Sequence, residues 1–204
     1  MLLFIPLLCG CAKAPVTVEY YQPAATSPGQ KIAAEGNFLF ISQADDDHAV
    51  KAMLTGGDNV LVVYLQIDNK TGANLDAADY SVRLTDGPDR LPLPLISREV
   101  VMAYRAQVAA GDKIASGNSI ADAALMQLDS MVKNMGSTEI AQFLTSMNWA
   151  IDHYFAFRPV YAHRNRAGVL CYYINFIREY PLILSVKIKD KTVNFDFLPI
   201  KGKP

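Results

Sequence analysis

Residues 59–69, NVLVVYLQIDN, decide how this chain folds. Between Val60 and Asp68 aliphatic side chains occupy both alternating sets of positions, so either face that turns inward leaves an apolar one behind. That is the pattern of a central strand covered on both sides over most of its length. Asn69-Lys70-Thr71-Gly72 follows with turn chemistry. In the next run, AADYSVRLTDG (77–87), Tyr80, Val82 and Leu84 alternate with Ser81, Arg83 and Thr85, which predicts a half-buried strand ended by Asp86-Gly87-Pro88. Pro92 and Pro94 keep RLPLPLIS (90–97) out of the middle of a sheet and mark an edge or crossing segment.

Strand patterns recur on both sides of this centre. NFLFIS (37–42) reads as a short strand, and QADDDHAVKAMLTGGDN (43–59) as an acidic connecting segment. VLCYYINF (169–176) reads as another strand. PLILSVKIKDKTVNFDFLPI (181–200) is a hairpin with Asp190-Lys191 at its turn. Leu182, Leu184, Val186 and Ile188 face inward on one arm, and Val193, Phe195 and Phe197 on the other.

The middle of the chain changes period. Val100, Tyr104 and Val108 stand at helical spacing behind Ser97, an N-cap residue, with Gly111 as the stop. Ile120, Ala124, Leu128, Met131 and Met135 form a second stripe, and Ile140, Leu144, Met147, Ile151 and Tyr154 a third. Strands, then helices, then strands predict a mainly β, α+β fold: an antiparallel sandwich over 36–204 interrupted by a helical block around 97–154.

Composition narrows the partners. The 204 residues are 51% hydrophobic and 19% charged with a net charge of -1, so there is material for one core and no basic stripe for nucleic acid. Leu2–Leu8 is apolar but too short to span a bilayer, and fits the core of a signal peptide over residues 1–10. Leu8-Cys9-Gly10-Cys11 resembles the lipobox of bacterial lipoproteins. The resemblance implies cleavage after Gly10 and acylation of Cys11, which anchors the chain because each buried CH₂ contributes about 0.8 kcal/mol. Ala12 is not the aspartate that retains enterobacterial lipoproteins at the inner membrane, which implies an outer-membrane anchor facing the periplasm. The Pro/Ala/Ser/Thr-rich run through residue 35 reads as a lipidated N-terminus and tether, 11–35.

A second resemblance rests on I-x-N-x-T-G (67–72), the proline-bearing segment and G-V-x-x-Y-x-x-N-F (168–176). These are similar to the immunoglobulin-like sandwich domains of small bacterial envelope lipoproteins, over residues 36–96 and 155–200. The helices of 97–154 fall outside it. It implies a fold and a location rather than a reaction.

The motifs with catalytic or ligand-binding precedent are short. Ser130-x-x-Lys133, Ser116-x-Asn118 and Lys70-Thr71-Gly72 match the three motifs of penicillin-binding proteins, but in reverse chain order. Asp45-Asp46-Asp47-His48 offers carboxylates to a hard cation, yet lacks the glycine spacing and distal Glu of a calcium loop, and reads as a solvated acidic loop. His153 closes the last helix, where a cation suits the dipole. Arg158, His163, Arg164 and Arg166 form a basic loop suited to an anionic lipid or glycan. Met126 and Met131 belong to a methionine-rich helical face that adapts to apolar partners, and Cys171 is a small core residue. The expectation is a non-enzymatic envelope module that binds another envelope protein through Arg158, His163, Arg164, Arg166, Met126 and Met131. It assigns no catalytic residue, metal or cofactor. The alternatives are a serine hydrolase of peptidoglycan using Ser130 and Lys133, and a chaperone-like or lipid-carrying protein.

Overall fold

The structure, a computed structural model, describes residues 20–36, 38–56, 60–87, 92–110, 145, 147–174 and 180–200. Cys11, Met126, Met131, Ser130, Lys133 and the stripe from Ile120 to Met135 lie outside them.

The fold is mainly β, and among the described residues the named strands pair antiparallel, with one isolated parallel bridge between Tyr154 and Val169. In chain order the elements are β1 (Tyr20–Ala24), β2 (Lys31–Glu35), β3 (Phe38–Ala44), β4 (His48–Gly56), β5 (Val60–Asn69), β6 (Tyr80–Asp86), β7 (Leu95–Ile96), α1 (Arg98–Ala110), β8 (Arg164–Tyr173), β9 (Leu182–Ile188) and β10 (Lys191–Ile200). Two runs of paired strands result, β4-β5-β8-β7 and β6-β9-β10-β1. Among the described residues they meet where Tyr20 lies opposite Thr55, while β3 and then β2 extend from the other end of β4.

One core lies between the two runs. Leu61, Val63, Leu65 and Ile67 of β5 and Leu170 and Tyr172 of β8 share it with Leu182, Leu184, Val186 and Ile188 of β9 and Phe195 and Phe197 of β10. The expected inward residues of the terminal hairpin are therefore the buried ones, with Val193 half-buried beside them. The turn falls one residue earlier than expected. Lys191 already pairs with Ile188, so Lys189 and Asp190 make the loop, with Lys189 in the left-handed region at φ 53.

The second face of β5 is less covered than its composition predicts. Val60 and Val62 pack into a second apolar cluster, but Tyr64, Gln66 and Asp68 stay half-exposed. That second cluster lies on the outer face, where Ile96, Cys171, Val101, Tyr104, Met147 and Ile151 come together under α1 and the helical residues 147–152. The Ser97 hydroxyl accepts from the Val100 N–H at 3.3 Å, so the expected cap starts α1. Arg98 Nε donates to the Ile151 carbonyl and Arg105 Nε to Asn148 Oδ1, joining the two helical pieces. The helical block, where described, packs on the sheet.

Two expectations are corrected. Tyr20–Ala24 and Lys31–Glu35, read as part of a tether, are strands joined by a turn. β1 pairs with β10 over five residues, Tyr21 is buried in the main core, and Gln30 Nε2 donates to the Asn194 carbonyl at 2.7 Å. Their linker-like composition hides an inward Tyr21 and Pro23. The acidic segment 43–59 contains β4, whose His48, Val50, Ala52 and Leu54 alternate inward while lysine, methionine and alanine lower its strand propensity.

Candidate functional site

The candidate surface is organised by a residue the sequence presents only as a turn former. Asn69 continues the inward phase of β5 and is 2% exposed. Its amide Nδ2 donates to the carbonyls of Ala73 (2.8 Å), Val160 (2.9 Å) and Tyr161 (3.3 Å). Its Oδ1 accepts from the Thr71 N–H and hydroxyl. Every polar atom of a buried amide is thus used, as burial demands.

These bonds weld the turn 70–74 to the loop 155–163. Leu75 and Val160 exchange backbone bonds, the His163 N–H reaches the Thr71 carbonyl, and the Ala162 N–H reaches Asn74 Oδ1. Deeper in, Tyr80 donates from its hydroxyl to the Arg158 carbonyl (2.7 Å) and accepts from the Arg158 N–H (3.1 Å). Its ring stacks on Phe157 and meets Phe155 edge-on. Burial pushes the Tyr80 phenol above its usual range, against the pull of the Arg158 backbone bond and Arg166.

On this frame sits an open concavity of about 550 Å³ lined by Gln66, Asp68, Asn69, Lys70, His163, Arg164 and Asn165. Gln66 Nε2 donates to Asp68 Oδ1 at 2.8 Å, and Tyr64 donates to Gln66 Oε1 at 3.2 Å, so a polar ladder runs up the outer face of β5 into it. His163 holds φ 55, a conformation uncommon outside glycine, which turns the chain into β8 beneath the concavity. The floor is hydrogen-bonded backbone, and its rim carries both signs of charge.

The basic loop is only partly assembled as expected. His163 and Arg164 line the concavity, and Arg158 is exposed on the preceding loop. Arg166 is not a surface cation of the same kind. It is half-buried, its guanidinium donates to the Pro159 carbonyl at 3.1 Å, and its Nε is sealed from solvent without a hydrogen bond. Met126 and Met131 lie outside the described residues. Lys70, Asp68, Gln66 and Asn165 join the site unforeseen, because register rather than motif brings them together: Asn165 pairs with Asp68 and Arg164 with Asn69.

Lys70-Thr71-Gly72 has a structural role. Lys70 Nζ donates to the Asp45 carbonyl at 2.6 Å and the Thr71 hydroxyl is taken up by Asn69 and Ala73. His153 ends its helix as expected, its Nδ1 2.8 Å from the Trp149 carbonyl and its ring stacked on Trp149. Cys171 is buried in the second cluster, and burial pushes its thiol up to about 11. No helix among the described residues is long and apolar enough to cross a membrane. The chain matches no family model, no curated protein and no solved structure.

Proposed function

We propose that this protein is a lipid-anchored component of the bacterial cell envelope that binds another envelope component through the Lys70–Arg164 concavity, without catalysing a reaction. The observation that carries the reading is the placement of the two ends. β1 begins at Tyr20 opposite Thr55, whereas the concavity lies where Asn69 faces His48. Those positions are at opposite ends of β4, about 24 Å apart at roughly 3.4 Å per residue. A chain held by acylated Cys11 enters the domain at one end and presents its polar concavity at the other. The stretch from Cys11 to Tyr20 reaches no further than about 30 Å when extended, so the concavity faces a partner close to the membrane but directed away from it.

The immunoglobulin-like reading is supported by strand order. β4-β5-β8-β7 and β6-β9-β10 follow the A-B-E-D and C-F-G orders of a constant-type immunoglobulin sandwich, with the helical block inserted between the fourth and fifth of those strands. β1, β2 and β3 are additions at its margin. In such sandwiches the loops at the ends of the strands carry recognition, which is where the concavity lies.

The test is photo-crosslinking in cells from position 164, at the concavity, and from position 198, exposed on β10. A discrete adduct from position 164 alone, lost when Asp68 and Lys70 are replaced by alanine, supports the reading. Equal adducts from both positions, or none, overturn it. Separately, labelled palmitate incorporated into the full chain and lost in Cys11→Ser supports the anchor, and incorporation that survives the change refutes it.

A further inference from the structure

The turn between β3 and β4 brings Asp45, Asp47 and His48 together, with one ligand atom from each lying within 4.8 Å of the others. Acidic turns are common, and this one is partly built by its own backbone. Asp45 Oδ1 accepts the N–H groups of Asp47 and His48 at 2.8 Å each, and the Lys70 ammonium holds the Asp45 carbonyl. Two features set it apart from a solvated loop.

The first is that the remaining carboxylate oxygens already surround a positive centre. Lys191 Nζ stands 2.9 Å from Asp45 Oδ2 and 3.3 Å from Asp47 Oδ2. The Lys191 side chain is half-exposed and free to withdraw along the surface.

The second is His48. It is 8% exposed, and its Nε2 is sealed from solvent with no hydrogen-bond partner. A buried polar nitrogen left unpaired is destabilising, and a ligand on it relieves that cost. Its ring lines a small cavity of about 40 Å³ together with Asp45, Lys191 and the apolar walls Val50, Ile188 and Val193. That space holds one ion or water, and of the two carboxylates Asp45 lines it directly while Asp47 offers an oxygen within 4.8 Å of the other two ligand atoms.

We propose that Asp45, Asp47 and His48 form a binding site for a divalent transition-metal ion of the zinc type, which takes the place of the Lys191 ammonium between the carboxylates. One nitrogen and two carboxylate ligands with positions left open suit Zn²⁺ or Mn²⁺. They are too few for Ca²⁺, which takes six to eight oxygens. Zn–ligand bonds of about 2.0–2.2 Å require the loop to close inward, which exposed aspartates on a turn can do. Lys70 joins this site to the proposed partner surface, since its ammonium holds the Asp45 carbonyl and it also lines the concavity.

The test uses the untagged full chain with Cys9 and Cys11 replaced by serine, titrated with Zn²⁺ by calorimetry and with Co²⁺ by visible absorption. One ion per chain should bind, with cobalt bands of low coordination number. Asp47→Asn and His48→Ala should each weaken binding at least about tenfold. Lys191→Met should strengthen it several-fold, since it removes the competing cation. Asp47 is exposed, so its variant should keep the parent's melting temperature without metal and separates loss of binding from loss of fold. No binding up to millimolar Zn²⁺ overturns the proposal. So does binding that is indifferent to both Asp47→Asn and His48→Ala, or that Lys191→Met leaves unchanged.

Discussion

Asn69 donates from its side-chain amide to the carbonyl of Val160 at 2.9 Å, a buried bond between positions 91 residues apart. It ties the end of the central strand to the loop that leads into β8, and both walls of the concavity depend on it. Replacing Asn69 by Asp keeps the shape but removes both N–H donors and sets a carboxylate against three carbonyls. We expect Asn69→Asp and Asn69→Ala each to cost about 3 kcal/mol in urea denaturation, within the range for breaking a buried hydrogen-bonded network. A cost below about 0.5 kcal/mol would mean that the loop is held elsewhere.

The place of β1 makes a second expectation. Tyr21 is 6% exposed and belongs to the main core. Tyr21→Ala should therefore destabilise the domain by about 3 kcal/mol, as truncation of a large buried aromatic does. A chain starting at residue 36 should fail to give a cooperative melt, whereas one starting at residue 18 should melt like the full chain. Equal stability of the two truncations would show that the first strand is dispensable.

These two residues show where sequence reading succeeds and where it stops. β6, β9 and β10 were legible because their apolar residues alternate and their turns carry Gly, Asp or Lys, and β5 because aliphatic residues fill both of its alternating sets of positions. Ser97 was legible because capping is local. β4 was not, because Ala52 and His48 hold inward positions that propensity does not mark. β1 was hidden by Pro and Ala neighbours although Tyr21 supplies the buried surface. The concavity was half legible: His163 and Arg164 stand out as charges, whereas Gln66, Asp68 and Asn165 join them only through the pairing of β5 with β8. Asn69 carried one overlooked signal, since it falls in the same phase as Leu61, Val63, Leu65 and Ile67.

Close packing at one glycine gives a paired expectation. A Cβ on Gly168 would stand 2.7 Å from the His153 carbonyl oxygen and 2.7 Å from the Phe155 Cα, both backbone atoms that cannot swing away. Gly72, in the turn after β5, has nothing within 4 Å. Gly168→Ala should cost about 1–3 kcal/mol by overpacking, and Gly72→Ala should stay within about 0.5 kcal/mol of the parent. Thermal melts of the two variants side by side check this, and a tolerated Gly168→Ala would show that the segment 153–155 can lift from β8.

Alkaline pH should loosen the packing of the helical block. Burial foremost, with Cys171 and Glu99 adding to it, pushes the Tyr154 phenol up to about 12, and its hydroxyl donates to the Ile96 carbonyl at 2.7 Å. The unfolded chain releases that proton near pH 10. The folded pKa is the higher one, so the contribution of Tyr154 is complete below pH 10 and declines as pH rises towards 12. Tyr172 is shifted the same way by burial, but its hydroxyl is buried without a hydrogen-bond partner. The two tyrosines should therefore respond differently to loss of the hydroxyl. Tyr154→Phe should cost about 1 kcal/mol at pH 7, whereas Tyr172→Phe should be neutral or stabilising, because no bond is lost. Both should flatten the fall in melting temperature between pH 10 and 12. A Tyr172→Phe variant that is clearly less stable than the parent at pH 7 would show that the hydroxyl has a partner in solution.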